Sequence, residues 1–573
     1  MSRLEAKKPS LCTSVQLTKD VVSQSLAVLR GIVASCYGPC GRLKQLHNGV
    51  GGCVCTTSQS SAILGSLSVT HPVLKILTAS VQNHLTRFSD CGLFTAILCC
   101  NLIERCQKVN LAPRTVTEAN KHLLSLCVEY LRSEVCACRI PVDFSRTRTL
   151  LQLVRSILTS KPACMLTVRE VDHIGALILR AFLLTVPQNA EGRAILGKSI
   201  IVPLKGHRVM DSTVLPGLLI EMPEFLSMKT LPDRTLPGRT HTMALFCVSM
   251  AGDLSDVGEG TVVISCDVSL ETAALDQLLI LGKQLIDDQV DLVVCQKVIH
   301  PSLKQYLNQH RVIAVDRVGL ALMEPLAQMT GAQPIGSLDS VSPTGYGNVK
   351  DLCFANFGSK HFLHLIPNDD TVCSLILCNR NETAWEELKL ACQTAQHVLQ
   401  LTIKQPLALL GGGCTETHLA TFIRHKSRSV PDSILEVSGC SRTEYQLVAD
   451  AFCSSLESVA RALEHDEGEI LTDVEYGHCW SVQPGSPTNV DWAELVSRCG
   501  CGIYSNREKL NWRNLRSPSH PLIPPPDCHS QQALDSVDQL TLDCFVAKLS
   551  GLQVAVETAS LILDLAYVIE DKN

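Results

Sequence analysis

Residues 89–98, SDCGLFTAIL, combine an acid and a glycine in the manner of a phosphate-binding loop. Asp90 carries a carboxylate, the hard oxygen ligand that magnesium prefers, and Gly92 would let backbone N–H groups approach a phosphate closely. A loop of this kind would rarely continue with Leu93 and Phe94, which are large and apolar. Three interpretations are open: a working nucleotide site, the remnant of one, or a loop in which Asp90 caps the following helix.

A second nucleotide motif occupies residues 192–199. Gly192, Gly197, Lys198 and Ser199 satisfy the pattern G-x-x-x-x-G-K-[ST], in which the lysine and the hydroxyl contact phosphates and magnesium. A true P-loop follows a buried strand and opens a helix. Here the preceding residues have the pattern of helix and loop, and the following IIVPL has the pattern of a strand. This inverted context favours a hairpin or linker, and the P-loop stays as the alternative.

The 28 cysteines contain no C-x-x-C pair. The closely spaced pairs are Cys36/Cys40, Cys53/Cys55, Cys136/Cys138 and Cys499/Cys501. Zinc sites usually combine two sets of paired ligands at spacings of roughly two to four residues. We therefore expect no metal site, and we interpret these cysteines as core or loop residues.

Composition and charge limit the classes of function. The net charge is only −6 and aromatic residues make up 4% of the chain, so we expect no nucleic acid partner. Residues 1–12 contain no apolar signal core, and many cysteines lie inside apolar runs. We therefore expect a cytoplasmic protein with free thiols that is not secreted. The longest apolar stretch, 174–186, is broken by Arg180, so no membrane span is expected.

The elements that must position these residues follow a helical, then mixed, then helical order. Residues 15–140 have mainly helical patterns, and helices return at 382–403 and end with a predicted helix over 551–570. Between them, short apolar runs alternate with helical stretches, which is typical of an α/β domain with partly parallel strands. These runs are SIIVPLKG, MALFCVSM, GTVVISC, VDLVVCQ, RVIAVD, HFLHLIP and TVCSLILC. A domain inserted into a helical domain explains this order.

Two segments near the C-terminal end, 424–442 and 484–536, are rich in Pro, Ser and Gly. Helical patterns stop at both segments. We expect both to be long, poorly packed surface insertions in the C-terminal helical part.

Several short motifs occur in the order found in the group II chaperonins. GPCGRLK (38–44) resembles their G-P-x-G-x-x-K turn, TTSQSSAIL (56–64) their T-N-D-G-A-T-I-L segment, and LGGGCTE (410–416) their G-G-G-A-x-E turn. SILTSK (156–161) resembles the end of a helix in their intermediate domain. The resemblance covers nearly the whole chain. It is strongest to divergent members tied to cilia, the Bardet–Biedl chaperonin-like proteins.

The resemblance implies a multidomain fold that combines α+β and α/β parts. A helical equatorial domain would comprise residues 1–145 and 404–573, and a small intermediate domain residues 146–204 and 366–403. An inserted α/β apical domain, which binds substrate in the family, would occupy residues 205–365. This division agrees with the insertion that the helical and strand patterns predict.

The resemblance also implies an ATP site with altered chemistry. The residues that match the family's binding turns and acids are Gly38, Pro39, Gly41, Asp90, Gly411, Gly412 and Gly413. Gln59 stands where the family has an acid, and Thr394 stands where it has the acid that positions the attacking water. A neutral amide is a poorer magnesium ligand, and a threonine cannot accept a proton as a carboxylate does. We expect weak or vestigial ATP binding, no catalytic residue and no efficient ATPase activity, and the role of magnesium stays open.

The resemblance implies a chaperone that helps to assemble a ciliary trafficking complex, the BBSome. Its partners would be unfolded or unassembled protein subunits, other Bardet–Biedl chaperonin-like proteins and subunits of the cytosolic chaperonin. It would act in the cytoplasm, at the centrosome or basal body. Leu278, Leu279, Leu281 and Leu285 in the segment 270–289 could contact apolar client surface, although most of them fit the buried face of a helix.

Two alternatives to this function are open. One is a folding chaperonin that hydrolyses ATP in a ring, and the other is a structural adaptor at centrosomes. The segment 484–536 lies in the part where ring neighbours touch in the family. Because it is long and Pro-rich, we expect it to hinder a homo-oligomeric double ring.

Overall fold

The chain folds into two compact units in the computed structural model. The first unit comprises Met1–Gly175 and Glu386–Asn573, and the second comprises Ala176–Trp385. The described residues are 12–16, 19–47, 55–187, 196–222, 240–252, 270–338, 341–368, 371–473, 476–486, 492–504, 511–515 and 539–571. One unit is therefore inserted into the other along the chain, as the order of patterns predicts. The finer division at residues 145, 204, 365 and 403 stays a prediction.

Helices dominate the first unit. The helices of the described ranges are α1 (Lys19–Ala34), α2 (Ser60–Ser66), α3 (Pro72–Phe88), α4 (Gly92–Val109), α5 (Pro113–Arg132), α6 (Thr147–Thr159), α7 (Val168–Leu184), α8 (Leu270–Asp287), α9 (Pro301–Gln309), α10 (Leu320–Thr330), α11 (Glu382–Lys404), α12 (Cys414–Lys426), α13 (Asp432–Ser438), α14 (Arg442–Arg461), α15 (Trp492–Leu495) and α16 (Phe545–Asp564). Helix α4 packs against α1, α14 and α16. Its first twelve residues are all buried, as its nearly continuous apolar sequence predicts for a helix without a solvent face.

Strands supply most of the framework of the second unit. The strands are β1 (Cys12–Gln16), β2 (Lys44–Leu46), β3 (Cys55–Thr57), β4 (Arg139–Pro141), β5 (Lys198–Lys205), β6 (Thr213–Pro216), β7 (Leu218–Met222), β8 (His241–Phe246), β9 (Leu292–Cys295), β10 (Ile313–Val315), β11 (Gly347–Val349), β12 (Asp351–Phe357), β13 (Lys360–Ile366), β14 (Val372–Asn379), β15 (Leu407–Leu410), β16 (Glu469–Asp473), β17 (Cys479–Val482), β18 (Trp512–Asn514), β19 (Leu542–Cys544) and β20 (Tyr567–Asp571). One sheet has the order β10-β9-β8-β11, with β8, β9 and β10 parallel. This confirms the predicted partly parallel α/β fold, whereas the run GTVVISC lies outside the described residues.

Helix α8 covers the parallel sheet with leucine side chains. Leu278, Leu281 and Leu285 are buried in a core with Val293 of β9. Leu279 is only half-buried. The interpretation of these leucines as the buried face of a helix is therefore correct for the three that enter the core, and they offer no surface to a client.

The segment 424–442 is not a poorly packed insertion. It contains the end of α12, the short helix α13 and the start of α14, and its Val430 and Leu435 are buried. Helix α13 packs against α5. The prediction was wrong because Pro, Ser and Gly report where the chain bends, and bends between packed helices have the same composition as exposed loops.

The described parts of segment 484–536 also pack onto the first unit. Strand β18 pairs antiparallel with β16, and Arg513 within it is buried. Cys499 and Cys501 are buried as well. The expectation of poor packing is thus wrong for residues 496–504 and 511–515.

The last helix is shorter than its periodicity predicts. Helix α16 ends at Asp564, and Ala566 and Ile569 lie beyond it. Strand β20 pairs antiparallel with β1, from Cys12 opposite Asp571 to Gln16 opposite Tyr567. The pairing with a strand from the other end of the chain therefore replaces the predicted last turn of helix.

Among the described residues, α16 is also the one helix with the length and composition of a membrane span. The mean hydropathy of its most apolar window is 1.3, and 56% of that window is buried inside the protein. Helices α3, α4 and α5 pack around it. Burial among other helices is what a core helix of this composition requires, so α16 gives no support for a membrane span.

Candidate functional site

A cavity of about 420 Å³ lies in the first unit, where several loops meet. This volume is within the range of roughly 300–1,000 Å³ that small-molecule sites usually have. The predicted residues that line it are Gly38, Pro39, Asp90, Gly412 and Gly413. The structure therefore brings together residues that are more than three hundred positions apart in the sequence.

The glycines of the site are required by backbone geometry. Gly38 and Gly413 have φ values of +82° and +83°, in the left-handed region that favours glycine. Gly412, at φ +63°, contacts another backbone so closely that a Cβ atom would lie 2.1 Å from the carbonyl oxygen of Gly500. Gly41 and Gly411 do not line the cavity. The N–H of Gly41 instead donates to the carbonyl oxygen of Gly38, and the N–H of Gly411 donates to that of Thr541. These hydrogen bonds stabilise the two turns.

Two helices begin at the cavity. Helix α4 begins after Cys91 and helix α12 after Gly413, and neither N-cap residue accepts a hydrogen bond through its side chain. The first N–H groups of a helix lack partners within the helix and carry partial positive charge, so they attract anions. Asp90 is not the N-cap of α4, and the interpretation of this acid as a helix cap is wrong. Asp90 lies one residue earlier and lines the cavity.

Two lysines that were not among the predicted site residues also line the cavity. One is Lys161, at the end of the SILTSK motif, and the other is Lys548 of α16. Lys548 Nζ lies 2.9 Å from Asp543 Oδ2 and 2.5 Å from Glu416 Oε1. Burial opposes its charge, but these two carboxylates raise the pKa of Lys548 well above its ordinary value. The two acids therefore favour the charged form of Lys548.

The two neutral residues that stand in place of acids, Gln59 and Thr394, both lie near the cavity. Gln59 is buried directly before Ser60, which lines the cavity, and its side-chain Nε2 has no hydrogen-bond partner. Thr394 lies on α11, with its hydroxyl 3.5 Å from the carbonyl oxygen of Ser89. It therefore reaches the loop that carries Asp90 but brings no carboxylate to it.

The alternative P-loop does not have the geometry of a phosphate-binding loop in the described residues. Gly192 lies outside them. The N–H of Gly197 donates to the carbonyl oxygen of Thr185, and Lys198 and Ser199 begin strand β5. A P-loop needs a helix start at this position. The segment is a strand in a sheet, so the P-loop interpretation is wrong.

A cluster of possible metal ligands lies beside the cavity and was missed. Cys414, His478, Cys499 and Cys501 place their ligand atoms within 4.8 Å of one another. The expectation of no metal site relied on the spacing of neighbouring cysteines. These ligands come from separate parts of the chain, and only the close spacing of Cys499 and Cys501 hinted at them.

Comparisons with known proteins agree with the fold. The sequence model of the TCP-1/cpn60 chaperonin family matches residues 29–573. The chain is 68% identical to the human protein "Molecular chaperone MKKS" and 64% identical to the mouse protein of that name, over 573 residues and the full length of each chain. It is 22% identical over 473 residues to thermosome subunit alpha of Sulfolobus acidocaldarius, covering 78% of this chain and 80% of that one.

These similarities confirm the predicted chaperonin fold, including the predicted resemblance to the McKusick–Kaufman syndrome member of the Bardet–Biedl group. They also support a chaperone role. The chain belongs to the TCP-1/cpn60 chaperonin family.

Proposed function

We propose that the chain is an assembly chaperone that binds ATP in the cavity with little or no hydrolysis. One observation carries this proposal. The cavity combines glycine turns, two helix starts and Lys161, while neutral Gln59 and Thr394 replace two acids. The first set of groups suits phosphate binding, and the second removes groups that hydrolysis needs.

Binding would use groups that are already in place. The turns at Gly38 and at Gly412–Gly413 have no side chains that block an approaching phosphate, and the N-termini of α4 and α12 carry the partial positive charge of a helix start. Lys161 would add a positive charge. Asp90 lines the cavity and would supply a carboxylate for a magnesium ion that accompanies the nucleotide.

Hydrolysis would require a carboxylate that orients or deprotonates a water molecule. The hydroxyl of Thr394 cannot accept the proton at neutral pH as a carboxylate would. The amide of Gln59 has no charge with which to hold magnesium. ATP would therefore act as a stabilising ligand, because a ligand that binds only the folded state shifts the folding equilibrium towards that state.

The clients and partners of the chain are proposed from its similarity to the Bardet–Biedl chaperonin-like proteins. We propose that it binds unassembled subunits of the BBSome, together with other proteins of this group and subunits of the cytosolic chaperonin. We place it in the cytoplasm at the centrosome or basal body. The cysteines that the structure describes are all free thiols, which suits a reducing compartment.

The test is nucleotide binding and turnover on the purified full-length chain. We expect ATP binding by equilibrium dialysis, with phosphate release no faster than the buffer blank. Lys161→Met should weaken ATP binding about tenfold, since it removes one charge-assisted contact. The control Lys121→Met removes an exposed lysine on α5 and should leave binding unchanged. Absence of binding by the unmodified chain would contradict the proposal.

The same experiment tests a second candidate, a folding chaperonin that hydrolyses ATP. Asp90 and Asp543 are carboxylates at the cavity and favour this alternative. Phosphate release that Asp90→Ala abolishes would establish it. A chain that neither binds nor hydrolyses ATP would instead fit the third candidate, a structural adaptor at centrosomes.

A further inference from the structure

We propose that Cys414, His478, Cys499 and Cys501 form a buried structural zinc site in the first unit. All four residues are buried, with exposed fractions of 4% or less. Three sulfur atoms and one imidazole nitrogen converge on one point, which is the ligand set of a closed zinc site.

The distances suit a tetrahedral ion. Zinc binds sulfur at about 2.3 Å and imidazole nitrogen at about 2.0 Å, so ligand atoms around it lie roughly 3.5–4 Å apart. The Sγ atoms of Cys499 and Cys501 are 3.3 Å apart, and Cys501 Sγ lies 3.2 Å from His478 Nδ1. All four ligand atoms lie within 4.8 Å of one another, so shifts of about an ångström or less would admit the ion.

Surrounding backbone groups already support thiolate ligands. The N–H of Cys501 donates to Cys414 Sγ and the N–H of Tyr504 donates to Cys499 Sγ, both at 3.3 Å. Such outer hydrogen bonds stabilise negative sulfur and orient ligands in metal sites. The N–H of His478 donates to Asp473 Oδ2 at 2.8 Å, which fixes the turn that presents the imidazole.

The competing explanation is a group of ordinary core cysteines, which behave as small apolar side chains. Cys99 and Cys100 illustrate that behaviour, because they are buried side by side within the apolar helix α4. The cluster differs because a histidine with its ring nitrogen turned towards sulfur is part of it. A neighbouring thiol, Cys479, is a natural control. Its Sγ lies 3.9 Å from Cys414 Sγ, but it donates to the carbonyl oxygen of Gly412 and is not one of the four converging ligands.

The site would fix one wall of the cavity. Cys414 directly follows the glycine turn, and Gly500, between two of the ligands, packs against Gly412. The N–H of Gly500 also donates to the carbonyl oxygen of Cys479 at 2.8 Å. A bound zinc ion would therefore tie the start of α12 to the loop 499–501, whether or not the cavity binds ATP.

Elemental analysis of the full-length chain tests the proposal. The protein is purified without a polyhistidine tag, in a thiol reductant and without chelators. We expect about one zinc ion per chain, and a drop to less than about a tenth of that in Cys501→Ser and in Cys499→Ser. Cys479→Ser should keep the full zinc content. Equal zinc in the unmodified chain and in Cys501→Ser, or iron in place of zinc, would overturn the proposal.

A second measurement keeps the test valid if the serine variants fail to fold. The unmodified chain is stripped with a chelator and titrated with Co²⁺, which takes the place of zinc and absorbs visible light. We expect one equivalent to produce the sulfur-to-cobalt charge-transfer band of a tetrahedral thiolate site, and zinc to displace it. Absence of that band would overturn the proposal. So would recovery of a Cys499–Cys501 disulfide by mass spectrometry from the protein purified in reductant.

Discussion

The contact between Gly412 and Gly500 lies between the two candidate functional features of the first unit. On one side of it lies the cavity, and on the other lies the cysteine–histidine cluster. Each glycine leaves room for the backbone of the other, since a Cβ atom on either would lie about 2 Å from a carbonyl oxygen of its partner. The close approach of two backbones is therefore a structural requirement, separate from the φ angle of either residue.

Gly412→Ala should destabilise the protein by about 2–4 kcal/mol, because the methyl group meets backbone atoms that cannot move aside. Gly439→Ala is the matched control. Gly439 has φ +61°, close to the +63° of Gly412, but a Cβ atom added to it would meet no atom within 4 Å. It should cost only about 1 kcal/mol, the penalty of the left-handed backbone. Urea unfolding measures both variants, and equal losses would contradict the role of close approach.

At the scale of single residues, the sequence predicted the parts of the site that lie within short motifs. Gly38, Asp90 and Gly412 belong to motifs of a few residues whose order resembles a known family. Lys548 and His478 belong to no such motif, and each has a partner more than fifty positions away, Glu416 and Cys414 respectively. Local composition and spacing do not predict contacts between distant residues, so these residues could be recognised only in the folded chain.

At the scale of elements, a buried ion-pair network joins α12, α14 and β18. Glu457 on α14 accepts hydrogen bonds from the guanidinium groups of Arg424 on α12 and Arg513 on β18, including one of 3.0 Å to Arg424 Nη2. All three residues are buried. Burying charged groups is costly unless each is paired, so the network holds β18 in one position.

Glu457→Gln should destabilise the first unit by about 3–5 kcal/mol, because it leaves two buried arginines without their carboxylate. Unfolding in urea can be followed by tryptophan fluorescence, since Trp480 and Trp512 lie here with ring centroids 4.7 Å apart. Glu118→Gln is the control. It removes the exposed pair with Lys121 and should cost less than about 1 kcal/mol. A loss for Glu457→Gln as small as that of the control would show that the network does not stabilise the unit.

The sequence predicted the type of most elements and misjudged where some of them end. Short apolar runs predicted the strands of the parallel sheet, and helical periodicity predicted the helices of residues 15–140, because burial of side chains imposes both patterns directly. Helical periodicity also extended the last helix through Ala566 and Ile569, whose apolar spacing fits a helix equally well. The competing partner, β1, lies at the opposite end of the chain, and local periodicity contains no information about it.

At the scale of the whole molecule, the order of sequence patterns, helical, then mixed, then helical, was enough to predict an inserted unit. The boundary after Gly175 lies inside α7, and the second boundary lies inside α11, so no change of composition marks either one. Sequence patterns place boundaries where composition changes. This explains why the insertion was recognised while its limits could not be predicted from the sequence.

We expect the purified chain to sediment as a single subunit or a small oligomer, not as a double ring. The physical reason is the segment 484–536, which adds Pro-rich chain to the part of the fold where ring neighbours meet in the family. Analytical ultracentrifugation over a range of concentrations, with and without ATP, measures this. A stable double ring of this chain alone would contradict the expectation.

The distribution of thiols has a practical consequence for spectroscopy. Cys40 is the one cysteine classed as exposed among those described, and it lines the cavity. Burial raises the pKa of Cys100 to about 12, so that thiol reacts slowly with electrophilic dyes. The exposure of four further cysteines, Cys12, Cys53, Cys266 and Cys528, is not described. With these four replaced by serine, a maleimide fluorophore should attach first at Cys40. Such a label would report in real time whether the adjacent pocket is filled.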